Sequence, residues 1–166
     1  MRSILILVVL VCCAAAARAD DFGPGKTVAF LGMGFVDYST EGAYDGARAD
    51  QTERLALLEK LVKERFEAEG LVLVDVAPVA EKLSEITNPS QCYGCDVRLA
   101  KELGADYALV GAVNKVSNLI LSIQLILRDS ETGEIVRARS VGIRSNTDVS
   151  WSKGMNYILK YAFFAN

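Results

Sequence analysis

The chain has 166 residues, 51% hydrophobic and 23% charged, with 18 basic side chains against 21 acidic ones and no histidine. That length bounds it to one domain, and the lack of any basic run interleaved with aromatics argues against a nucleic-acid partner. Without imidazole, Ser-His-Asp and Cys-His hydrolysis and the commonest zinc sites are excluded.

Met1-Arg2 leads into an apolar run over residues 4–11, then Cys12, Cys13 and four alanines, and Ala17-Arg18-Ala19 stands just before Asp20. A basic start, a short apolar core and a small-x-small site predict a secretory signal peptide over 1–19 and a single mature domain over 20–166, exported to the periplasm. The apolar run is too short for a membrane span. A lipoprotein anchored at Cys12 or Cys13 is the lesser alternative, because Val11 and Cys12 stand where lipoprotein processing favours a small residue. Cleavage removes Arg2 and Arg18 and leaves 147 residues with 16 basic against 21 acidic side chains. No later apolar segment is long enough to cross a bilayer without a charge.

Residues 26–36, KTVAFLGMGFV, read as the first strand. Gly32-Met33-Gly34 lacks the third glycine and the following helix of a dinucleotide site, so the glycines mark a bulge or a close backbone approach. Residues 37–49 form the longest polar connection. Asp37, Tyr38, Glu41, Tyr44 and Asp45 make it a candidate loop site, but the spacing matches no calcium loop and no metal is assigned. A solvated loop is the alternative.

Asp50 is positioned to cap a helix over 51–69, with Leu55, Leu58, Leu61, Val62 and Phe66 on one face and Gly70 at its end. A short strand over 71–76 and a helix over 79–86 follow, with Pro78 in the first turn and Asn88-Pro89 as the stop.

Cys92-Tyr-Gly-Cys95 precedes a third helix over 96–103, closed by Gly104. In an oxidising compartment the pair reads first as a structural disulfide. Thiol-disulfide exchange is the second reading, because a helix N-terminus lowers a thiol pKa, although the strand that precedes a thioredoxin-like motif is missing. Two cysteines fill half of a zinc site, and Asp96 stands where covalent haem attachment requires histidine.

Residues 107–116, 119–127 and 134–144 read as three antiparallel strands joined at Ser117-Asn118 and at residues 129–133, with Gly133 supplying a positive φ. The middle strand is apolar at nearly every position, as a covered central strand requires. The third mixes Arg137 and Arg139 with Ile135, Val141 and Ile143, which suits an edge. Asn146, Thr147 or Asp148 caps a last helix reaching about Phe164, with Trp151, Met155, Ile158, Leu159 and Ala162 facing the core. Trp151, the single tryptophan, reads as packing; a sharper reading joins Asn118, Arg144, Asn146, Asp148 and Trp151 into a partner-recognition edge.

The predicted order β-α-β-α-α-β-β-β-α describes an α+β fold, a two-layer domain with a mixed four- to five-stranded sheet packed by helices. VAFLGMGFVD, FEAEG before LVLVDV, LAKELGADYALVGAV and LSIQLILRDSETGEIVRA resemble the pattern of the TolB amino-terminal domain and of CsgG-like periplasmic domains. The resemblance implies this same architecture and carries no catalytic residue. More narrowly, CYGCDVRLAKELGADY and IRSNTDVSWSKGMNYIL resemble an uncharacterised exported bacterial family, a likeness that implies a neighbourhood of periplasmic quinoprotein alcohol oxidation.

The expectation is a non-enzymatic periplasmic or envelope domain, without cofactor, that binds a partner protein or assembles at the envelope, with a homo-oligomer through the sheet edge left open. Two alternatives stand beside it: a small-molecule or metal carrier serving a periplasmic oxidoreductase, and a thiol-disulfide oxidoreductase acting through Cys92 and Cys95.

Overall fold

The structure is a computed structural model that describes residues 22–46 and 48–165. The signal-peptide assignment and Cys12 and Cys13 lie outside the described residues. Five strands form one mixed sheet in the order β2-β1-β3-β4-β5. They are β1 (Thr27–Asp37), β2 (Val72–Leu73), β3 (Tyr107–Ser117), β4 (Ile120–Asp129) and β5 (Ile135–Ile143). β1 runs parallel to β2 and β3, while β3, β4 and β5 form an antiparallel meander. This is the α+β architecture expected.

One face of the sheet carries the larger core. Val28, Phe30, Leu109, Val113, Ile123, Leu125 and Leu127 pack there against α2 (Ala49–Ala68) and α5 (Asp148–Ile158). Leu58, Val62 and Phe66 recur along α2 at helical spacing and are fully buried. Each such side chain stabilises the fold by roughly 1.5–3 kcal/mol. The other face is covered by a smaller layer, α3 (Ala80–Ser84) and α4 (Cys95–Glu102), through Ala29, Leu31, Val79, Leu99, Ala108 and Val110. The two-layer expectation therefore describes the α2/α5 side, and the short helices add a partial third layer over β1 and β3. Coverage on both sides explains why β3 is apolar at both parities.

β1 serves both cores through the bulge that its glycines foretell. Phe30 pairs with Leu109 but Met33 with Gly111, so one extra residue is inserted. Gly32 absorbs it at φ +88°, a region that side chains with a Cβ avoid. Before the bulge the even positions Val28 and Phe30 face the larger core; after it the odd positions Met33 and Phe35 do. Glu59 of α2 accepts the Met33 N–H at 3.0 Å.

Several boundaries differ from those expected. The polar connection after β1 is not loop throughout: Ser39 accepts the Gly42 N–H and starts a short helix, α1 (Thr40–Asp45). α2 begins at Ala49 with Arg48 in the cap position, so Asp50 lies inside the first turn rather than capping it. The strand expected over 71–76 pairs only at Val72 and Leu73, because Asp75 turns the chain by accepting the Ala77 N–H. The next helix is a 3-10 turn at Ala77–Val79 followed by five α-helical residues. Thr147 is the α5 cap, and beyond Ile158 the helix continues as a π-turn, Leu159–Phe163.

Candidate functional site

β1 and β3 both end on the same side of the molecule, at Asp37 and Ser117. The β3–β4 turn, α1, the loop 144–147 and the N-termini of α2 and α5 gather around them. At the centre lies Lys115, which has no exposed surface. Its parity on β3, two residues after Val113, points it into the larger core. Its Nζ reaches Asp37 Oδ2 at 2.9 Å and Glu41 Oε2 at 3.5 Å. A buried ammonium is tolerable only when paired and hydrogen-bonded in this way.

The Asp37 carboxylate also accepts the Ser39 amide and hydroxyl. Burial pushes the Asp37 pKa up, but the Ser39 hydroxyl, the Lys115 ammonium and the Ser39 amide together outweigh it and hold the group below the ordinary carboxylate value.

From Glu41 the network runs outward. Asn118 Nδ2 donates to Glu41 Oε2 at 2.7 Å, Asn146 Nδ2 to Asn118 Oδ1 at 3.3 Å, and Trp151 Nε1 to Asn146 Oδ1 at 3.0 Å. Trp151 has no exposed surface and stacks on Phe35. It therefore holds the loop in place and offers no ring to a partner. A second network lies alongside: Arg54 contacts Asp148 and Asp50, each at 2.7 Å, and Arg48 contacts Asp50 at 3.0 Å. Hydrogen bonds from Arg48 and Arg54 lower the Asp50 pKa to about 2. Arg144 is exposed, and its carbonyl accepts the Ser150 hydroxyl.

The structure thus brings the two sets of sequence candidates into one region. Asp37 and Glu41 from the polar connection join Asn118, Asn146 and Trp151 from the supposed recognition edge, while Asp148 belongs to the neighbouring arginine network. Tyr38 precedes α1, and Tyr44 and Asp45 form its last turn; all three are exposed and none enters the cluster's interior. Around it the surface carries apolar side chains among polar ones: Tyr44 is 86% exposed and Leu119 68%, and Tyr38, Ile120 and Val149 are also exposed. Sequence reasoning missed Ser39, Arg54 and Lys115. The last was detectable, because a lysine at an inward strand parity has to find a buried anion.

Cys92 and Cys95 form a disulfide at the start of α4, in the smaller helical layer and outside this cluster. Tyr93 between them is exposed at φ +53°, and Gly94 precedes α4 at φ +83°. The 3-10 turn just before, Pro89–Gln91, is tied to the sheet by Gln124 donating to Ser90 at 3.0 Å.

A cleft of about 940 Å³ lies at the end of the sheet opposite the cluster, between Lys26, Lys101, Asp106 and Arg137, and one of about 340 Å³ lies beside the β1 bulge. No group of three or more His, Cys, Asp or Glu side chains among the described residues has the geometry to hold a metal ion.

A mixed five-stranded sheet with a self-satisfied polar cluster at the end of its parallel strands defines this molecule as a small α+β domain. The chain belongs to family DUF3280, described as a protein of unknown function (DUF2380), whose profile matches residues 26–163. No curated protein matches it. Among solved structures it is similar to the LpoB C-terminal domain from Salmonella enterica, with a TM-score of 0.54 and 15% identity over 76% of this chain and 88% of that one. The corresponding Escherichia coli domain gives a TM-score of 0.51 at 15% identity, over 76% and 88% of the two chains. Lipoprotein GNA1162 from Neisseria meningitidis gives 0.46 at 20% identity, over 74% and 82%. The likeness to LpoB is one of fold. No helix among the described residues is long and apolar enough to cross a membrane.

Proposed function

We propose that this domain is a non-enzymatic accessory of the cell envelope, exported to the periplasm, that binds a partner protein through the surface at the end of β1 and β3. The observation that carries the reading is the closure of the polar cluster on itself. Lys115 bridges Asp37 and Glu41, Ser39 donates to Asp37 and Asn118 donates to Glu41, so the carboxylate oxygens facing the cluster already have partners within the chain. What faces outward is a rim of exposed aromatic and aliphatic side chains, Tyr38, Tyr44, Leu119, Ile120 and Val149. Exposed apolar side chains gathered at one end of a domain and bordered by polar groups mark protein contacts more often than small-molecule sites. The predicted signal peptide and the resemblance to exported domains support the envelope location.

The test is an affinity capture from envelope extract with three forms: the wild type, Tyr44→Ser/Leu119→Asp, and Cys92→Ser/Cys95→Ser. The reading expects one protein retained by the wild type and by the cysteine variant, and lost with the rim variant. Retention by all three forms refutes the rim as the contact. Partners captured by the wild type only as mixed disulfides, and lost with the cysteine variant, place the thiol oxidoreductase ahead. A ligand-dependent rise in melting temperature with no captured protein places the carrier ahead, since binding to the native state stabilises it by mass action.

A further inference from the structure

The two edges of the sheet are unequal. β2 closes one edge with two residues, whereas β5 pairs with β4 on one side only, over nine residues from Ile135 to Ile143. The smaller helical layer reaches β4, through Gln124 to Ser90 and Arg128 to Asp96, and stops there. On that face β5 shows Ile135 at its start, opposite Arg128, and then Ala138, Ser140 and Gly142, all exposed, the last three too small to obstruct an approaching strand. On the other face Arg137 and Arg139 stand opposite Leu127 and Leu125. Arg139 is exposed, and Arg137 is partly buried, donating to the Val136 carbonyl with its guanidinium 6.0 Å from the Phe22 ring centroid.

The charge pattern is one-sided. Residues 135–147 contain Arg137, Arg139 and Arg144 and no acidic residue, in a chain whose acidic side chains outnumber its basic ones. The nearest acids in the chain are Glu131 and Glu134 before the strand and Asp148 after it, the last paired with Arg54. A second copy pairing antiparallel about the centre of β5 would set arginine against arginine, and like charges directly opposite destabilise a strand pair. The same arginines favour a strand that carries carboxylates.

We propose that the β5 edge is a strand-addition site for an extended acidic segment of a partner protein, which pairs along Ile135–Ile143 and places carboxylates two residues apart beside Arg137 and Arg139. Main-chain hydrogen bonds supply affinity in such additions, and side chains on alternate positions supply the choice of segment. This edge meets the apolar rim only at its Ile143 end, beside Leu119 and Ile120, and the peptide assay and the rim variant read the two surfaces independently, so either reading can fail alone.

The test uses three capped nine-residue peptides: a threonine- and valine-rich strand former with glutamates at its fourth and sixth positions, its lysine twin, and the glutamate peptide N-methylated on alternate residues. Binding to the mature protein is read by fluorescence anisotropy and by amide exchange of β5. The acidic peptide is expected to bind at least about ten-fold tighter than the lysine twin, to protect β5 amides, and to lose binding on N-methylation. Arg137→Glu/Arg139→Glu, with Trp151 fluorescence unchanged as a check of the fold, should reverse the preference. Equal binding of the two charged peptides, no binding of either, or retention by the N-methylated peptide overturns the proposal. So does a wild-type dimer that holds β5 amides protected without peptide.

Discussion

Lys115→Met tests the centre of the polar cluster. The variant keeps the length of the side chain and removes the ammonium from a position with no exposed surface, 2.9 Å from an Asp37 side chain that is itself only 13% exposed. Removing one partner of a buried pair costs about 3–5 kcal/mol, because the remaining charge is left uncompensated. Asp37 keeps its two bonds from Ser39, and Glu41 is half exposed, so the cost belongs at the lower end, about 3 kcal/mol. For a domain of this size that is about 10 °C in Tm. Urea unfolding followed by Trp151 fluorescence is the assay, since the single tryptophan is fully buried. Lys115→Met/Asp37→Asn removes both charges and should recover about 2 kcal/mol relative to the sum of the single variants. A Lys115→Met protein within about 0.5 kcal/mol of wild type, or a double variant that equals the sum, refutes the buried pair as the organiser of this end.

Four further outcomes follow from the geometry. Cys92→Ser/Cys95→Ser opens a four-residue ring and should lower stability by about 2 kcal/mol on the loop-entropy estimate, with capture by the rim unchanged; lost capture would give the pair more than a structural role. Gly154→Ala places a Cβ 2.6 Å from Ile143 Cγ2 and 3.1 Å from Ile123 Cδ1, so α5 must lift from the sheet at about 1–3 kcal/mol, and a neutral result by thermal denaturation contradicts that contact. Gln51 is buried with neither amide atom hydrogen-bonded, and Gln51→Leu should raise the urea midpoint by an amount worth about 1 kcal/mol; a lower midpoint would show that the amide is satisfied. Asp37, Asp50 and Asp106 all titrate below their ordinary value, Asp106 because the Thr27 amide and hydroxyl donate to it. Their folded-state values lie below those of the unfolded chain, so their contribution is complete above about pH 4 and is lost as pH falls through the folded values. A urea midpoint that drops between pH 7 and 5 instead contradicts this assignment.

Most of the fold was legible in the sequence because its signals are local. Leu58, Val62 and Phe66 mark α2 by spacing, the residues of β4 mark a covered strand by continuous apolarity, and Gly32 marks the bulge by its place inside a strand pattern. The errors arose where side chains compete for the backbone. Ser39 starts a helix in what composition describes as loop, and Asp75 ends β2 early by taking the Ala77 amide.

The candidate site was legible as two unconnected sets. Their junction depends on the parallel pairing of β1 with β3, which brings Asp37 beside Lys115 across 78 positions of chain. No local pattern encodes that separation. Trp151 was visible as a packing residue, and its bond to Asn146 shows why the loop before α5 keeps its shape.

The sheet joins two kinds of neighbour at β3. On one side β4 and β5 follow in the chain, so their pairing closes only short loops. On the other, β1 docks only after the whole helical crossover has been drawn in, a closure with a larger entropic cost. β3 is therefore the seam between a meander able to form early and a β1–α2 half that arrives late. In a kinetic experiment, Ile123→Val and Leu125→Ala should slow folding, whereas Val28→Ala should chiefly speed unfolding. The order in which this protein assembles would then run against the order in which it is synthesised.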